Sequence, residues 1–137
     1  MNSKELIIIL ERNGQEWDAR LELPNYLIAT QGENINEVTG NIRMLLEDYV
    51  QHEGSEDALF KNVNIQDLKF EYAYELIEFF EQFDAIKIGK VAELAGINAS
   101  LVRQYANGIK QASEKQVRKI EEAVHKLGKE LMDVHLV

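Results

Sequence analysis

The residues best suited to chemistry lie close together near the centre of the second half of the chain. Arg103 and Gln104 carry donors and acceptors that match the edges of guanine and adenine through paired hydrogen bonds. Ala99 and Ser100, about one helical turn earlier, lack bulky apolar groups. If the four residues share one helix, its N-terminal part can enter the major groove, so they predict contacts with base pairs.

Side chains that suit phosphate oxygens surround these four residues. The set predicted to contact the DNA backbone is Lys87, Lys90, Asn107, Lys110, Lys115 and Arg118. Between positions 87 and 119 only Glu93 and Glu114 interrupt the basic residues. The alternative interpretation for each of these charges is a solvated helix face.

The charge of the chain is divided unevenly, which matters because DNA repels a negative protein. The 137 residues carry a formal net charge of -9. Residues 1–85 hold 6 Lys or Arg against 18 Asp or Glu, whereas residues 86–137 hold 9 against 6. Halves of opposite sign predict two modules with different partners.

The segment GKVAELAGINASLVRQYANG, residues 89–108, predicts the two helices that position the basic residues. Two helices that cross through a short turn need a small residue at the crossing and a positive backbone φ in the turn. Ala92 and Gly96 meet these two demands, and Asn98 is suited to cap the second helix. Asn107 and Gly108 predict its end. The spacing indicates a helix-turn-helix; the alternative is an ordinary helical hairpin.

The segment beyond Gly108 predicts one long final helix. Ser113 and Gln116 are spaced as a capping box at its start. Its predicted apolar stripe consists of Val117, Ile120, Val124, Leu127 and Leu131.

The first half predicts three strands, a helix and a fourth strand. The strands are expected at 5–12, 15–22, 26–30 and 65–74, with an Asn13-Gly14 hairpin turn after the first. In the second strand, alternation predicts that Trp17, Ala19, Leu21 and Leu23 face the core.

Asn34 is expected to be the N-cap of the helix in this half, and Glu37, three residues later, is expected to complete a capping box. Gly40 inside it suggests a close approach to a strand. Its predicted core stripe is Val38, Ile42, Leu45, Leu46 and Tyr49, and the expected inward side of the fourth strand is Leu68, Phe70, Tyr72 and Tyr74. A loop is expected at 52–64 and a short helix at 75–83.

Several classes of protein are disfavoured by composition. The chain has no cysteine and no apolar run near the roughly 20 residues that span a bilayer. The N-terminus shows no export signal, so we expect a cytoplasmic protein without a membrane partner. Its three histidines lack zinc-ligand spacing, and the acids show no recognisable catalytic pairing. We therefore expect no enzymatic activity, no metal and no cofactor; a magnesium-dependent nuclease is the enzymatic alternative.

The segment GKVAELAGINASLVRQYANGIKQASEKQVRKIEEAV resembles the λ-repressor-like, or Cro/C1-type, helix-turn-helix domain. The shared features are the Val-Ala pair before Ala-Gly-Ile, the Asn-Gly that closes the second helix, and the amphipathic helix afterwards. This resemblance implies binding to a double-stranded DNA operator.

The segment ELIIILERNGQEWDARLELPNYLIATQGENINEVTGNIRMLLEDYV resembles the N-terminal domain of HicB-type antitoxins. The residues that match the family pattern are Pro24, Thr30, Gly32, Asn34, Glu37, Asn41 and Leu45. The two resemblances imply an α+β chain, with a partly degraded RNase H-like β-β-β-α-β domain at residues 1–74 and an all-α helix-turn-helix domain at residues 75–137.

The HicB resemblance implies two activities: neutralising a small basic HicA-type toxin that cleaves mRNA, and repressing the operon that encodes both proteins. We expect Glu11, Glu16, Asp18 and Glu22 to face the toxin, because an acidic surface attracts a basic partner; the alternative is an acidic solvated face. A single DNA-binding module buries little surface, so a homodimer or tetramer is expected. The alternative function is an orphan regulator whose first domain oligomerises or senses a ligand.

Overall fold

The computed structural model describes residues 5–52, 60 and 63–137. The chain forms two compact units, Met1–Glu75 and Leu76–Val137. The described residues contain four strands in one mixed sheet, together with five α-helices. The predicted α+β class is therefore confirmed.

The first unit is a sheet with one long helix. Its elements are β1 Glu5–Asn13, β2 Glu16–Leu23, β3 Tyr26–Gly32, α1 Ile35–His52, a 3₁₀ turn at Ile65–Asp67, and β4 Lys69–Tyr74. The strand order is β3-β2-β1-β4, in which β1 runs antiparallel to β2 and parallel to β4. Strands β3 and β4 are therefore the two edges among the described strands.

The hairpin between β1 and β2 lies one residue later than the sequence predicted. Asn13 pairs with Glu16, so it ends β1, and the two loop residues are Gly14 and Gln15. Gly14 has a φ of 64°, a value that glycine adopts without steric cost.

Alternation along β2 produces the predicted core face. Its four apolar residues are all buried, as are the α1 residues packed in the same cluster: Trp17, Ala19, Leu21, Leu23, Val38, Ile42, Leu46 and Tyr49. Leu45 was expected in this stripe but is 42% exposed. The buried helix positions follow spacings of four, four and three residues, and Leu45 lies about 100° from Leu46 around the helix.

The start of α1 is capped as expected. The Glu37 N–H donates to Asn34 Oδ1 at 2.8 Å, while the Glu37 carboxylate accepts from the Glu33 N–H at 3.0 Å. Gly40 does not provide a close approach to a strand, because a Cβ at this position would meet nothing within 4 Å.

The last strand of this unit is shorter than predicted. Asn64 caps the 3₁₀ turn at Ile65–Asp67, and β4 begins only at Lys69. Leu68 is buried, but Tyr72 on the same side is 47% exposed, because β4 is an edge strand with one neighbour. The predicted 52–64 loop lies mostly outside the described residues, and His52 belongs to α1.

The second unit consists of four helices: α2 Leu76–Gln82, α3 Ile88–Ala95, α4 Ala99–Ala106 and α5 Glu114–Met132. Their shared core contains Phe80, Val91, Ala92, Ile97, Val102, Tyr105, Ala106, Ile120 and Ala123. No helix in the described ranges is both long enough and apolar enough to cross a bilayer.

The apolar stripe of α5 is only partly covered. Ile120 is 1% exposed, and Val124 packs against the core with most of its surface covered. Val117 and Leu131, which were predicted to face the core, are 38% and 62% exposed. The stripe is therefore covered at Ile120 and Val124, partly covered at Leu127, and exposed at Val117 and Leu131.

Candidate functional site

A three-residue turn joins α3 to α4 and depends on glycine. Gly96 has φ 70° and ψ 31°, the left-handed conformation that the sequence predicted. The Ile97 N–H donates to the Ala92 carbonyl at 3.0 Å and closes the end of α3. Ala92 is 1% exposed, as expected for a small residue at a close helix contact. The left-handed Gly96 and the small, buried Ala92 thus allow α3 and α4 to pack closely through a short turn.

Both ends of α4 are fixed as predicted. Asn98 Oδ1 accepts a hydrogen bond from the Ser100 N–H at 2.8 Å at the start of the helix. After the helix, Gly108 adopts a φ of 74°, and a Cβ there would lie 2.9 Å from Cδ1 of Ile77 on α2. Glycine at this position therefore satisfies both the backbone turn and the packing of α2 beside it.

The four predicted base-contacting residues lie on the first turns of α4, with different exposures. Ser100 and Arg103 are exposed, and Gln104 is half-buried. Ala99 is also half-buried and packs against the core of the unit. Arg103 and Ser100 are therefore the side chains most available to a ligand, with Gln104 beside them.

The predicted phosphate-contacting residues are all exposed: Lys87, Lys90, Asn107, Lys110, Lys115 and Arg118. Arg118 forms an exposed ion pair with Glu114, in which Nη2 lies 3.5 Å from Oε1. An exposed pair of this kind contributes about 0.3–0.5 kcal/mol, so an anion can replace it readily. The lysines and Arg103 make no salt bridge within residues 76–137.

One residue near this surface was missed by sequence reasoning. Ile109 lies between Gly108 and Lys110 and is 74% exposed. Its N–H donates to the Gln104 carbonyl at 2.9 Å, which fixes the loop directly after α4. The sequence could have indicated this residue, because Ile109 is apolar but follows the end of a helix, so no helical periodicity assigns it to the core. The candidate surface at the end of α4 therefore includes an apolar side chain next to the exposed Lys110.

The second candidate surface is the side of the sheet opposite the buried one. Glu11 pairs with Asp18, and Asp18 pairs with Gln31, so these three side chains share one face. By alternation along β2, Glu16 and Glu22 project to the same side. All four residues predicted to meet a toxin thus lie on one face of the sheet.

Arg20, which sequence reasoning did not single out, neutralises part of this acidic face. Its Nη1 lies 2.6 Å from Glu11 Oε1, and its Nε lies 3.1 Å from Glu22 Oε1. The hydrogen bond to Glu11, with a second to Glu22, raises the pKa of Arg20. The contact with Glu22 could have been predicted, because residues two apart on a strand lie on the same face. The contact with Glu11 could not, because it depends on the register between β1 and β2.

An open depression of about 560 Å³ lies on the same face. Glu11, Asp18, Arg20 and Gln31 contribute polar side chains, and small residues line the rest. Asp18 Oδ1 is covered and has no hydrogen-bond partner among the described residues. The depression therefore presents one carboxylate oxygen that the described part of the chain leaves unsatisfied.

Within the described ranges, no group of three or more His, Asp or Glu residues could hold a metal ion. The arrangement on α3, α4 and the following loop can bind an anion-rich surface, and the sheet face can bind a partner with cationic side chains.

No protein-family model, curated protein or solved structure matches the chain.

Proposed function

We propose that this protein is the antitoxin of a type II toxin-antitoxin pair. In this proposal a partly degraded RNase H-like first domain neutralises a HicA-type mRNA-cleaving toxin in the cytoplasm. The second domain is a λ-repressor-like helix-turn-helix that binds the operator of its own operon as a homodimer or tetramer. The protein has no catalytic role and needs no cofactor.

The observation that carries the DNA-binding half is the exposure of Arg103 and Ser100 beside a short, glycine-dependent turn. A recognition helix must leave its outward side chains free while its inner side is held by the preceding helix. Val102 and Tyr105 of α4 are buried, whereas Arg103 is exposed. Arg103 also makes no salt bridge within residues 76–137, so its guanidinium is available to a ligand there.

The DNA-binding half is tested with Arg103→Ala against DNA from upstream of the protein's own reading frame. If Arg103 contacts a guanine, the variant loses about 1–3 kcal/mol of binding free energy, an increase in Kd of about 5- to 150-fold. Lys129→Ala is the control, because Lys129 is an exposed cation near the C-terminal end of α5, whereas the predicted phosphate contacts Lys115 and Arg118 lie at its N-terminal end. Equal affinity of wild type and Arg103→Ala in a gel-shift titration would remove Arg103 from the site.

The toxin-binding half rests on the acidic sheet face. A cationic partner would find Glu16, Asp18 and the depression beside Glu11 on one surface. We expect Asp18→Asn and Glu16→Gln together to slow association with the basic toxin encoded beside this gene, mainly at low salt. Met44→Gln on α1, which is 68% exposed, serves as the control. Association that is indifferent to both salt and the acidic substitutions contradicts charge-led docking.

One observation favours the alternative of an orphan regulator. Arg20 neutralises two of the four carboxylates on the sheet face, which leaves less free negative charge than the sequence suggests. A face of this kind also suits an oligomerisation or sensing domain without a toxin. Purification of the protein with its neighbouring gene product separates the two functions: a small basic protein that co-purifies supports the antitoxin, and its absence supports the regulator.

A further inference from the structure

Strand β1 is apolar on both of its sides. Its residues 6–10 read Leu-Ile-Ile-Ile-Leu without a polar interruption. Leu6, Ile8 and Leu10 are buried in the core with α1, whereas Ile7, which points to the sheet face, is 54% exposed. An unbroken apolar run is typical of a strand that is covered on both faces, and alternation is typical of a strand with one solvated face. The sequence of β1 therefore fits a second covering layer.

Other apolar side chains share the sheet face with Ile7. In one row across the sheet, Ile9 pairs with Arg20 of β2, and Arg20 pairs with Ala29 of β3. Strands β1 and β3 run in the same direction, so Ile7 and Leu27, each two residues earlier, lie in the next row on this face. Leu27 is 58% exposed. The sheet face thus carries a group of apolar residues, whereas isolated ones are common on protein surfaces.

The spacing of these residues suits a helix. Neighbouring strands lie about 4.8 Å apart, so Ile7 on β1 and Leu27 on β3 are about 10 Å apart across β2. An α-helix with its side chains is about 10–12 Å wide. A helix that lies along β2 therefore contacts the apolar side chains of both flanking strands at once. The opposite face of the same sheet is covered by a helix, α1.

The charges of the sheet face indicate which kind of helix fits it. Among residues 7–32 and 69–73, five carboxylates lie on this face against two cations, a net charge of -3. The acids are Glu11, Glu16, Asp18, Glu22 and Glu71, and the cations are Arg20 and Lys69. A second copy of the chain would bring the same negative charge to the contact and would be repelled. A helix whose apolar stripe is flanked by lysine or arginine complements the face.

Arg20 lies between the apolar residues and is compatible with a covering layer. Its guanidinium is paired with Glu11 at 2.6 Å and with Glu22 at 3.1 Å. A covering helix would therefore enclose a paired cation, which avoids the large cost of enclosing an unpaired one. The methylene groups of Arg20 add apolar surface between Ile9 and Ala29.

We propose that the sheet face binds a cationic amphipathic helix of a partner protein, with Ile7, Ile9 and Leu27 at the centre of the contact. These apolar residues hold the bound helix and govern its dissociation, whereas the surrounding carboxylates govern its rate of association. In the antitoxin the helix belongs to the toxin. That identification rests on the proposed function, whereas the docking surface itself does not.

The first test asks whether the fold itself needs Ile7. Ile7→Thr in the full chain keeps a β-branched side chain on the strand, so it should leave the urea midpoint of unfolding nearly unchanged. Ile8→Thr, at the next position on the buried side, is the matched control and should lower that midpoint clearly. If Ile7→Thr lowers the midpoint as far as Ile8→Thr does, the chain itself covers Ile7 and the proposal fails.

The second test measures binding of two synthetic helical peptides of about 18 residues, or five turns. One peptide carries leucine on one side and lysine on the other, and the second has glutamate in place of lysine. The full chain should bind the lysine peptide and not the glutamate peptide. Replacing Ile7 and Leu27 together with threonine should raise the Kd of the lysine peptide at least about tenfold, mainly through faster dissociation. Met44→Gln, on α1 at the opposite side of the sheet, should leave this Kd unchanged.

Three results of the peptide experiment contradict the proposal. They are an undetectable interaction with the lysine peptide, equal binding of the two peptides, and a Kd that the double threonine variant leaves unchanged. Sedimentation equilibrium without peptide adds a fourth: self-association that the double variant abolishes would mean that a second copy covers the sheet face.

The protein encoded by the neighbouring gene separates this inference from the proposed function. If that protein binds the wild type and the Ile7→Thr/Leu27→Thr variant equally well, docking on the sheet face is wrong and the antitoxin function stands. If the lysine peptide binds at Ile7 and Leu27 but the neighbouring gene product does not bind the chain, the docking surface stands and the antitoxin function fails.

Discussion

Replacement of Gly96 with alanine is the most direct test of the turn on which the proposed DNA-binding surface depends. Gly96 has a φ of 70°, and a Cβ there meets no other atom within 4 Å, so the effect is due to the backbone alone. The left-handed conformation costs a residue with a Cβ about 1–2 kcal/mol. Reduced freedom of the unfolded chain offsets about 0.4–1 kcal/mol of this. The net expectation is a loss of about 1 kcal/mol in the free energy of unfolding.

The matched control is the same substitution at Gly40. Gly40 also has open space around a built Cβ, but it lies in the interior of α1. Gly40→Ala should therefore increase the free energy of unfolding by about 1 kcal/mol. Urea unfolding followed by circular dichroism measures both variants, with Gly96→Asn expected to fall between wild type and Gly96→Ala. If Gly96→Ala stabilises the protein as much as Gly40→Ala does, Gly96 does not form a left-handed turn.

Three further predictions concern the first unit. Leu46→Ala should lower the free energy of unfolding by about 2–5 kcal/mol, because Leu46 is fully buried. Leu45→Ala should change it by under about 1 kcal/mol, because Leu45 is exposed. Urea unfolding of the two variants measures both changes. Arg20→Gln should cost less than about 1 kcal/mol despite its two ion pairs, because Arg20 and Glu11 are both over one-third exposed. Burial, helped by nearby Tyr72, raises the pKa of the Tyr74 hydroxyl in the folded protein. As the pH rises, the Tyr74 hydroxyl therefore loses its proton in the unfolded chain before it does so in the folded one. The free energy of unfolding should consequently decline as the pH rises above about 10. Tyr74→Phe should remove that part of the alkaline loss.

The second unit could be predicted closely because its features are local. Asn98 caps the helix that begins at the next residue, and Gly96 and Gly108 each adopt the predicted positive φ. Each assignment depends on backbone sterics or on a hydrogen bond that spans two or three residues. The sequence carries such constraints directly. The exposure of Leu131 was missed, because periodicity predicts a stripe but not how far another element covers it.

The first unit was predicted less closely because its features depend on pairing between distant segments. The hairpin loop is shifted by one residue, and this shift is visible only in the pairing of Asn13 with Glu16. Tyr72 is exposed because β4 is an edge strand, a fact of sheet order that alternation cannot supply. The contact between Arg20 and Glu11 joins adjacent strands and follows from their register. The four residues predicted to face a toxin indicated an acidic face, whereas register determines which of their carboxylates Arg20 neutralises.

The net charge of the chain is a poor guide to its partners for the same reason. Charges separated by more than about 8–10 Å are largely screened at physiological salt. In the proposed complex, the DNA backbone would therefore respond mainly to the charges within that distance of it, and not to the total charge of the chain. Arg103 and the lysines around it make no salt bridge within their own unit. On the sheet face, by contrast, Arg20 reduces the charge available to a cationic partner. The basic surface is thus more basic in effect than the total of -9 suggests, and the acidic face is less acidic than its four carboxylates suggest.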